Sequence, residues 1–402
     1  MNAKVKSGRV LVAGAGIGGL SAALALLRRG IDVDVYEQAS ELREVGAGVQ
    51  ISPNGSRALY ALGVGDAVRS LACEPAGKEV RLWNTGQTWK LFDLGADAIE
   101  RYGFPYFTVY RADLHQALVE AVRIAKPDAI HLNSRCAGFT QDDAGVTLKL
   151  ESGEEAKGVA LIGADGVHSH LRAALFGKDS PTFSGIMAWR GVIPIERLPE
   201  RLRRPVGTNW IGPGGHIISY PLRCGGLMNF AGYVERSDWL VESWSVQGTN
   251  DEYARDFKGW HEDIHTHIRH IATPFKWALL VRPPLERWTV GRVTLLGDAC
   301  HPTLPFLAQG AVMAIEDGLV LGRALEQYGD DVGVALQKYE DARRERTNRM
   351  VRGSSENTKR FHNPLLNDPA EAAKYVDREW TEAKIRDRYE WLFTYDATSV
   401  PL

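Results

Sequence analysis

Arg9-Val10-Leu11-Val12-Ala13-Gly14-Ala15-Gly16-Ile17-Gly18-Gly19 decides the fold. Val10 to Ala13 is a short apolar run without alternation, as expected of a buried parallel strand. Leu20 to Arg29 is apolar and Ala-rich and reads as a helix, with Gly30 ending it. Val33 to Tyr36 reads as the next strand, closing on Glu37 and Gln38. A strand, a glycine-rich turn, a helix and a second strand make a dinucleotide-binding unit. Gly14 permits the tight turn, Gly16 lets a pyrophosphate approach the backbone, and Gly19 lets the helix pack on the sheet. The helix N-terminus turns unpaired N–H groups toward the phosphates, and the Glu37-Gln38 strand end meets the ribose. This motif does not separate NAD from FAD.

Two later turns make that choice. Leu161-Ile162-Gly163-Ala164-Asp165-Gly166 and Val293-Thr294-Leu295-Leu296-Gly297-Asp298 each run an apolar strand into a turn that carries an aspartate, with a helix to follow. With three such motifs in this order, the chain resembles the FAD-dependent aromatic hydroxylases, the class A flavoprotein monooxygenases of the para-hydroxybenzoate hydroxylase fold. The likeness runs from about Arg9 to Arg346 and is most specific in Gly297–Asp317. It implies noncovalently bound FAD, with NADH or NADPH as a transient reductant. Asp298 is then expected to bond a ribityl hydroxyl, Asp165 to serve both FAD and the nicotinamide cofactor, and Arg111 to stand beside the flavin phosphates. Gln309, Gly310 and Ala311 read as a helix start whose N–H groups point at the pyrimidine end of the flavin, where the reduced ring carries negative charge.

The fold expected is α/β: a Rossmann-like FAD-binding domain with an inserted, mostly antiparallel β-sheet substrate domain and a C-terminal helical region. The boundaries read 1–182 and 277–330 for the FAD domain, 183–276 for the substrate layer and 331–402 for the helical region. Alternation in His216-Ile217-Ile218-Ser219-Tyr220 places His216, Ile218 and Tyr220 on one face of a substrate-layer strand. A second glycine-rich motif is absent, so the nicotinamide cofactor has no Rossmann domain of its own.

Composition narrows the rest. The chain has 402 residues, 44% apolar, and a net charge of −2, which argues against nucleic-acid or membrane partners. Cys73, Cys136, Cys224 and Cys300 form no CxxC pair, and no signal-peptide pattern opens the chain, so a soluble cytoplasmic protein is expected. His261-Glu262-Asp263-Ile264-His265 matches the zinc-hydrolase motif HExxH. Phe257, Trp260, Ile264, Ile268 and Ile271 nevertheless recur as the buried stripe of one amphipathic helix and leave both histidines largely off it, so no metal is expected. A plain NAD(P) dehydrogenase accounts for the first motif and leaves Asp165 and Asp298 idle.

The resemblance implies hydroxylation of a small aromatic hydroxy acid by O2 through a flavin C4a-hydroperoxide. A base that deprotonates the phenol makes the ring more nucleophilic. His216 is the first choice for that base, and Tyr220 is expected to orient the phenol or the carboxylate. In relatives acting on 3-hydroxybenzoate or 6-hydroxynicotinate, a His and a Tyr hold these two positions. Gln50, Arg190 and Pro305 complete the expected substrate contacts, and Arg223 is a weaker choice for the carboxylate. Some 3-hydroxybenzoate 6-hydroxylases carry Gln where Pro305 stands. That departure moves the first expectation to salicylate, giving catechol and carbon dioxide. 3-Hydroxybenzoate 6-hydroxylation and 6-hydroxynicotinate 3-hydroxylation are the alternatives. The relatives also imply a homodimer.

Overall fold

The computed structural model describes residues 8–42, 47–238 and 246–402. A six-stranded sheet has the order Thr289–Val290, Val293–Leu295, Ala160–Gly163, Val10–Ala13, Val33–Tyr36 and Ile130–His131. Val10–Ala13 lies inside it, parallel to Ala160–Gly163 on one side and to Val33–Tyr36 on the other. All four of its residues are buried, which explains the unbroken apolar run. The strand order reverses at this strand. A crevice therefore opens beyond its carboxyl end, the usual ligand position in such sheets.

The second large sheet has seven strands, in the order Phe275–Val281, Thr182–Pro194, Leu227–Glu235, Gly215–Leu222, Val206–Gly212, Gly77–Leu82 and Thr88–Asp93. It is antiparallel except where Val206–Gly212 runs parallel to Gly77–Leu82. Two of its strands thus come from the segment assigned by sequence to the FAD domain, and Phe275–Val281 crosses the boundary at 276. This amends the domain limits. The pairing of Gly77–Leu82 with Val206–Gly212 is a long-range contact, and the charged alternation Lys78-Glu79-Val80-Arg81 carries no local sign of it.

One face of this sheet packs Trp189, Trp210, Ile217 and Phe230 against Tyr253, Phe257, Ile264 and Ile268. The expected single helix through the last three is broken. Helices span Asn250–Asp256 and Glu262–His270, and Gly259 turns the chain between them at φ 84. His261 is therefore a cap rather than a helical residue, and its Nδ1 accepts from the Asp263 N–H at 3.1 Å. Among the described residues no cluster of three His, Cys, Asp or Glu side chains is placed to hold a metal. The opposite face of the sheet looks toward the parallel sheet across a cavity.

Helices Gly310–Tyr328 and Val332–Phe361 follow the last strands, and Pro369–Glu379 and Glu382–Phe393 close the chain. Among the described residues no helix is long and apolar enough to cross a membrane. All four cysteines are unpaired.

Candidate active site

A cavity of about 380 Å³ lies between the crevice of the parallel sheet and the face of the seven-stranded one. Gly16, Arg111 and Asp298 line one end, and Lys78, His216, Tyr220 and Tyr233 line the other. Its size suits a small-molecule site.

The glycine-rich turn divides its labour. A Cβ on Gly14, at φ +104, would stand 2.4 Å from the Ala164 carbonyl oxygen, and one on Gly19 would stand 1.9 Å from the Gly14 oxygen. Those two glycines serve packing within the protein. A Cβ on Gly16 would meet nothing within 4 Å, yet Gly16 lines the cavity. Its bare backbone is the cradle a pyrophosphate needs, so the turn fits a dinucleotide. Glu37 is held beside it, accepting from the Ala15 N–H at 2.8 Å and the Ala39 N–H at 2.9 Å. Each carboxylate oxygen keeps acceptor capacity for ribose hydroxyls. Gln38 is exposed just past the strand end.

Arg111 opens the helix Arg111–Ala125 and reaches the cavity wall. Asp298 also presents its carboxylate there. Enclosure by protein pushes its carboxyl above the usual range, opposed by His301 and Arg111. Asp165 differs from expectation. Ser169 Oγ donates to one of its oxygens at 2.5 Å and the Leu171 N–H to the other at 3.1 Å. Its neighbours Ala164 and Gly166 line the cavity, whereas Asp165 holds the turn that positions them. Gln309 is likewise a fastener. Its buried amide donates to Ser52 Oγ at 2.8 Å and accepts from Asn54 at 3.2 Å, leaving Gly310 and Ala311 to face the cavity. His301 points into the protein, with its Nε2 2.6 Å from an Asp317 carboxylate oxygen.

On the opposite wall His216, Ile218 and Tyr220 share one face, in line with the alternation of the strand. His216 is buried. Its ring stacks on Tyr233 at 4.6 Å and meets Phe306 at 4.7 Å and Phe361 at 5.0 Å. Its Nδ1 lies 2.7 Å from Nε2 of His362, whose Nδ1 lies 2.9 Å from a Glu235 carboxylate oxygen. The tautomers follow from the end of this chain. A carboxylate only accepts, so His362 donates from Nδ1. When His362 accepts at Nε2, His216 donates from Nδ1. Nε2 of His216 is left with a lone pair and, among the described residues, no partner. Burial and the neighbouring His362 hold the His216 imidazolium well below the ordinary range, so the ring is a neutral base. Glu235, with its side chain 54% exposed, joins this chain to the surface.

Tyr220 is buried, and burial pushes its phenol well above the ordinary range. Gln50 lines the cavity and accepts from the Tyr106 hydroxyl at 2.9 Å. Gly46 lies outside the described residues. Pro305 lines the cavity in the turn Pro305–Leu307. Arg190 is off the cavity wall. It shares the face of the sheet, but its guanidinium lies over the rings of Trp277 at 5.0 Å and Phe275 at 5.5 Å. Arg223 pairs with Asp113 at 2.8 Å, outside the cavity.

Four residues escaped the sequence reading: Lys78, Asn209, His362 and Glu235. The Lys78 ammonium stands 4.7 Å from the centre of the Tyr106 ring, and burial lowers it to about 7.

A model of the FAD binding domain matches residues 8–354. The chain is 38% identical over 392 residues to a 3-amino-4-hydroxybenzoate 2-monooxygenase of Streptomyces platensis, covering 98% of this chain and 97% of the relative. It is 37% identical to a 3-hydroxybenzoate 6-hydroxylase of Polaromonas naphthalenivorans, covering 96% of each. A salicylate hydroxylase solved with its substrate superposes with a TM-score of 0.80 at 25% identity, covering 98% of each chain.

Proposed function

Because the chain belongs to the FAD binding domain family and is a flavin-dependent aromatic hydroxylase, we propose that it hydroxylates a benzoate whose phenolic hydroxyl is not adjacent to the carboxylate, with 3-amino-4-hydroxybenzoate first and 3-hydroxybenzoate second. Salicylate, the first expectation from sequence, yields to these two. The relatives named for them match nearly the whole chain at 37–38% identity, against 25% for the salicylate hydroxylase.

The observation that carries the proposal is the hydrogen-bonded chain from His216 through His362 to Glu235. Nε2 of His216 takes the proton of the phenol, and the phenolate so formed feeds more electron density into its ring. As Nε2 gains that proton, the proton on Nδ1 shifts to His362, and Glu235 stabilises the resulting cation. Burial among Tyr233, Phe306 and Phe361 excludes water from this base. Bound FAD, reduced by NADH or NADPH, supplies the activated oxygen. Gly16, Glu37, Arg111 and Asp298 are the residues that would hold it, with Gly310 and Ala311 at the ring.

Asn209 favours the amino-substituted acid. It lines the cavity, and its buried Oδ1 has no hydrogen-bond partner among the described residues. That acceptor suits an amino group next to the phenol. Purified FAD-loaded protein is to be incubated with NADH or NADPH and each of 3-amino-4-hydroxybenzoate, 3- and 4-hydroxybenzoate, 6-hydroxynicotinate and salicylate. Chromatography should show a hydroxylated product from one of the first two. Product from salicylate alone overturns the proposal.

A further inference from the structure

We propose that Lys78 is the anchor for the substrate carboxylate, so that the acid docks at Lys78 while the phenol at the far end of the ring meets His216. The inference rests on the hydroxybenzoate reading above.

The sheet register places Lys78. Val80 lies opposite Asn209, and Asn209 lies opposite Ile218. Lys78, two residues before Val80, therefore shares the cavity face with Ile218, His216 and Tyr220. Gly207 is paired with Lys78 and carries no side chain. A Cβ there would stand 3.4 Å from Lys78 Cγ and 3.7 Å from its Cε, so the lysine stem lies across Gly207, over the strand next to that of His216.

The ammonium arrives without an anion. Among the described residues nothing forms an ion pair or hydrogen bond with Lys78. Its contacts are the rings of Tyr106 at 4.7 Å and Phe92 at 5.9 Å. The carboxylate nearest in sequence, Glu79, also lines the cavity but is already paired, with Arg204 at 2.6 Å and Thr208 at 2.9 Å. Tyr106 itself is bonded to Gln50. A half-buried cation in a cavity wall, held only by aromatic faces, is costly, and a carboxylate ligand removes the cost. The lowering of its pKa to about 7 has burial as its cause, as expected of a cation awaiting a partner.

The spacing agrees with the substrate class. Continued by two residues, the register brings Gly207, and with it Lys78, level with Tyr220. His216 is four residues away along its strand, roughly 13 Å. Side chains converging from those two rows meet opposite ends of a ring and not two adjacent substituents. Asn209 lies in the row between them, where an amino group flanking the phenol would fall.

The test compares wild type with Lys78→Met and Lys78→Arg, all FAD-loaded, by calorimetric titration. The ligands are 3-amino-4-hydroxybenzoate and 3-hydroxybenzoate, each paired with its neutral carboxamide. Lys78→Met should weaken the acids about ten- to a hundredfold, the worth of a charge-assisted hydrogen bond, and move the amides less than about threefold. Lys78→Arg should restore part of the acid affinity. Equal losses for acid and amide, or acid affinity within about threefold of wild type, overturn the anchor. Wild type that binds neither acid overturns the hydroxybenzoate reading and the anchor together, which separates the two failures.

Discussion

Replacing His362 by Gln separates hydrogen bonding from proton transfer. The glutamine oxygen can still accept from Nδ1 of His216, replacing the contact seen at 2.7 Å, but it does not take on a proton or pass charge to Glu235. The charge-assisted bond from protonated His362 to Glu235, which stabilises the proton passed on by His216, is lost. Such a bond contributes about 1.5–3 kcal/mol, so hydroxylation should slow about ten- to a hundredfold. That lies below the full value of general-base catalysis, about a hundred- to ten-thousandfold, because Nε2 of His216 is still present. Stopped-flow absorbance would show flavin reduction by NADH or NADPH at the wild-type rate while product yield per reductant falls. A pH-indicator dye in weak buffer would show slower proton release on substrate binding. Unchanged product yield and unchanged proton release in His362→Gln would refute the role of this chain as a proton path.

Three further outcomes follow from the same geometry. Gly16→Ala should leave the melting temperature of FAD-free protein near wild type and reduce FAD loading, whereas Gly19→Ala, with a Cβ 1.9 Å from the Gly14 oxygen, should fail to fold; thermal melts with and without FAD separate the two. Lys78 pays a burial penalty when charged, so its folded pKa of about 7 lies below the unfolded value near 10.4. That penalty is complete below pH 7 and is lost as pH rises toward 10.4. Lys78→Met should thus be more stable than wild type at pH 6.5 without substrate, with the gap closing by about pH 10 in urea titrations. Arg343 is fully buried between Glu316 at 2.8 Å and Asp317 at 2.7 Å, and Arg343→Met should lose about 3–5 kcal/mol of stability by urea denaturation.

The parts of the site that local chemistry writes were legible in the sequence. A strand of four buried residues followed by glycines has few other uses, and the conformational demands on Gly14, Gly16 and Gly19 appear in their order alone. The face shared by His216 and Tyr220 follows from strand alternation. What escaped depends on tertiary pairing. Lys78 sits in a charged strand that reads as solvent-facing, and only its pairing with Val206–Gly212 turns it into the cavity. His362 caps a long polar helix, where nothing marks it as the partner of a residue on a distant strand. Asp165 shows the converse. Its motif implies a cofactor contact, whereas its side chain holds the turn through Ser169 and Leu171 and is not part of the cavity lining. The helix expected through Phe257 and Ile264 fails at Gly259, whose positive φ an unbroken helix excludes.

The most direct measurement is mass spectrometry of the aromatic product after turnover of 3-amino-4-hydroxybenzoate, or of 3-hydroxybenzoate, under ¹⁸O₂ with reductant and FAD-loaded protein. The product should carry one labelled oxygen atom on the ring, with the carboxylate retained. Reductant consumed with peroxide formed and no label in either acid, or labelled catechol from salicylate in their place, would contradict this.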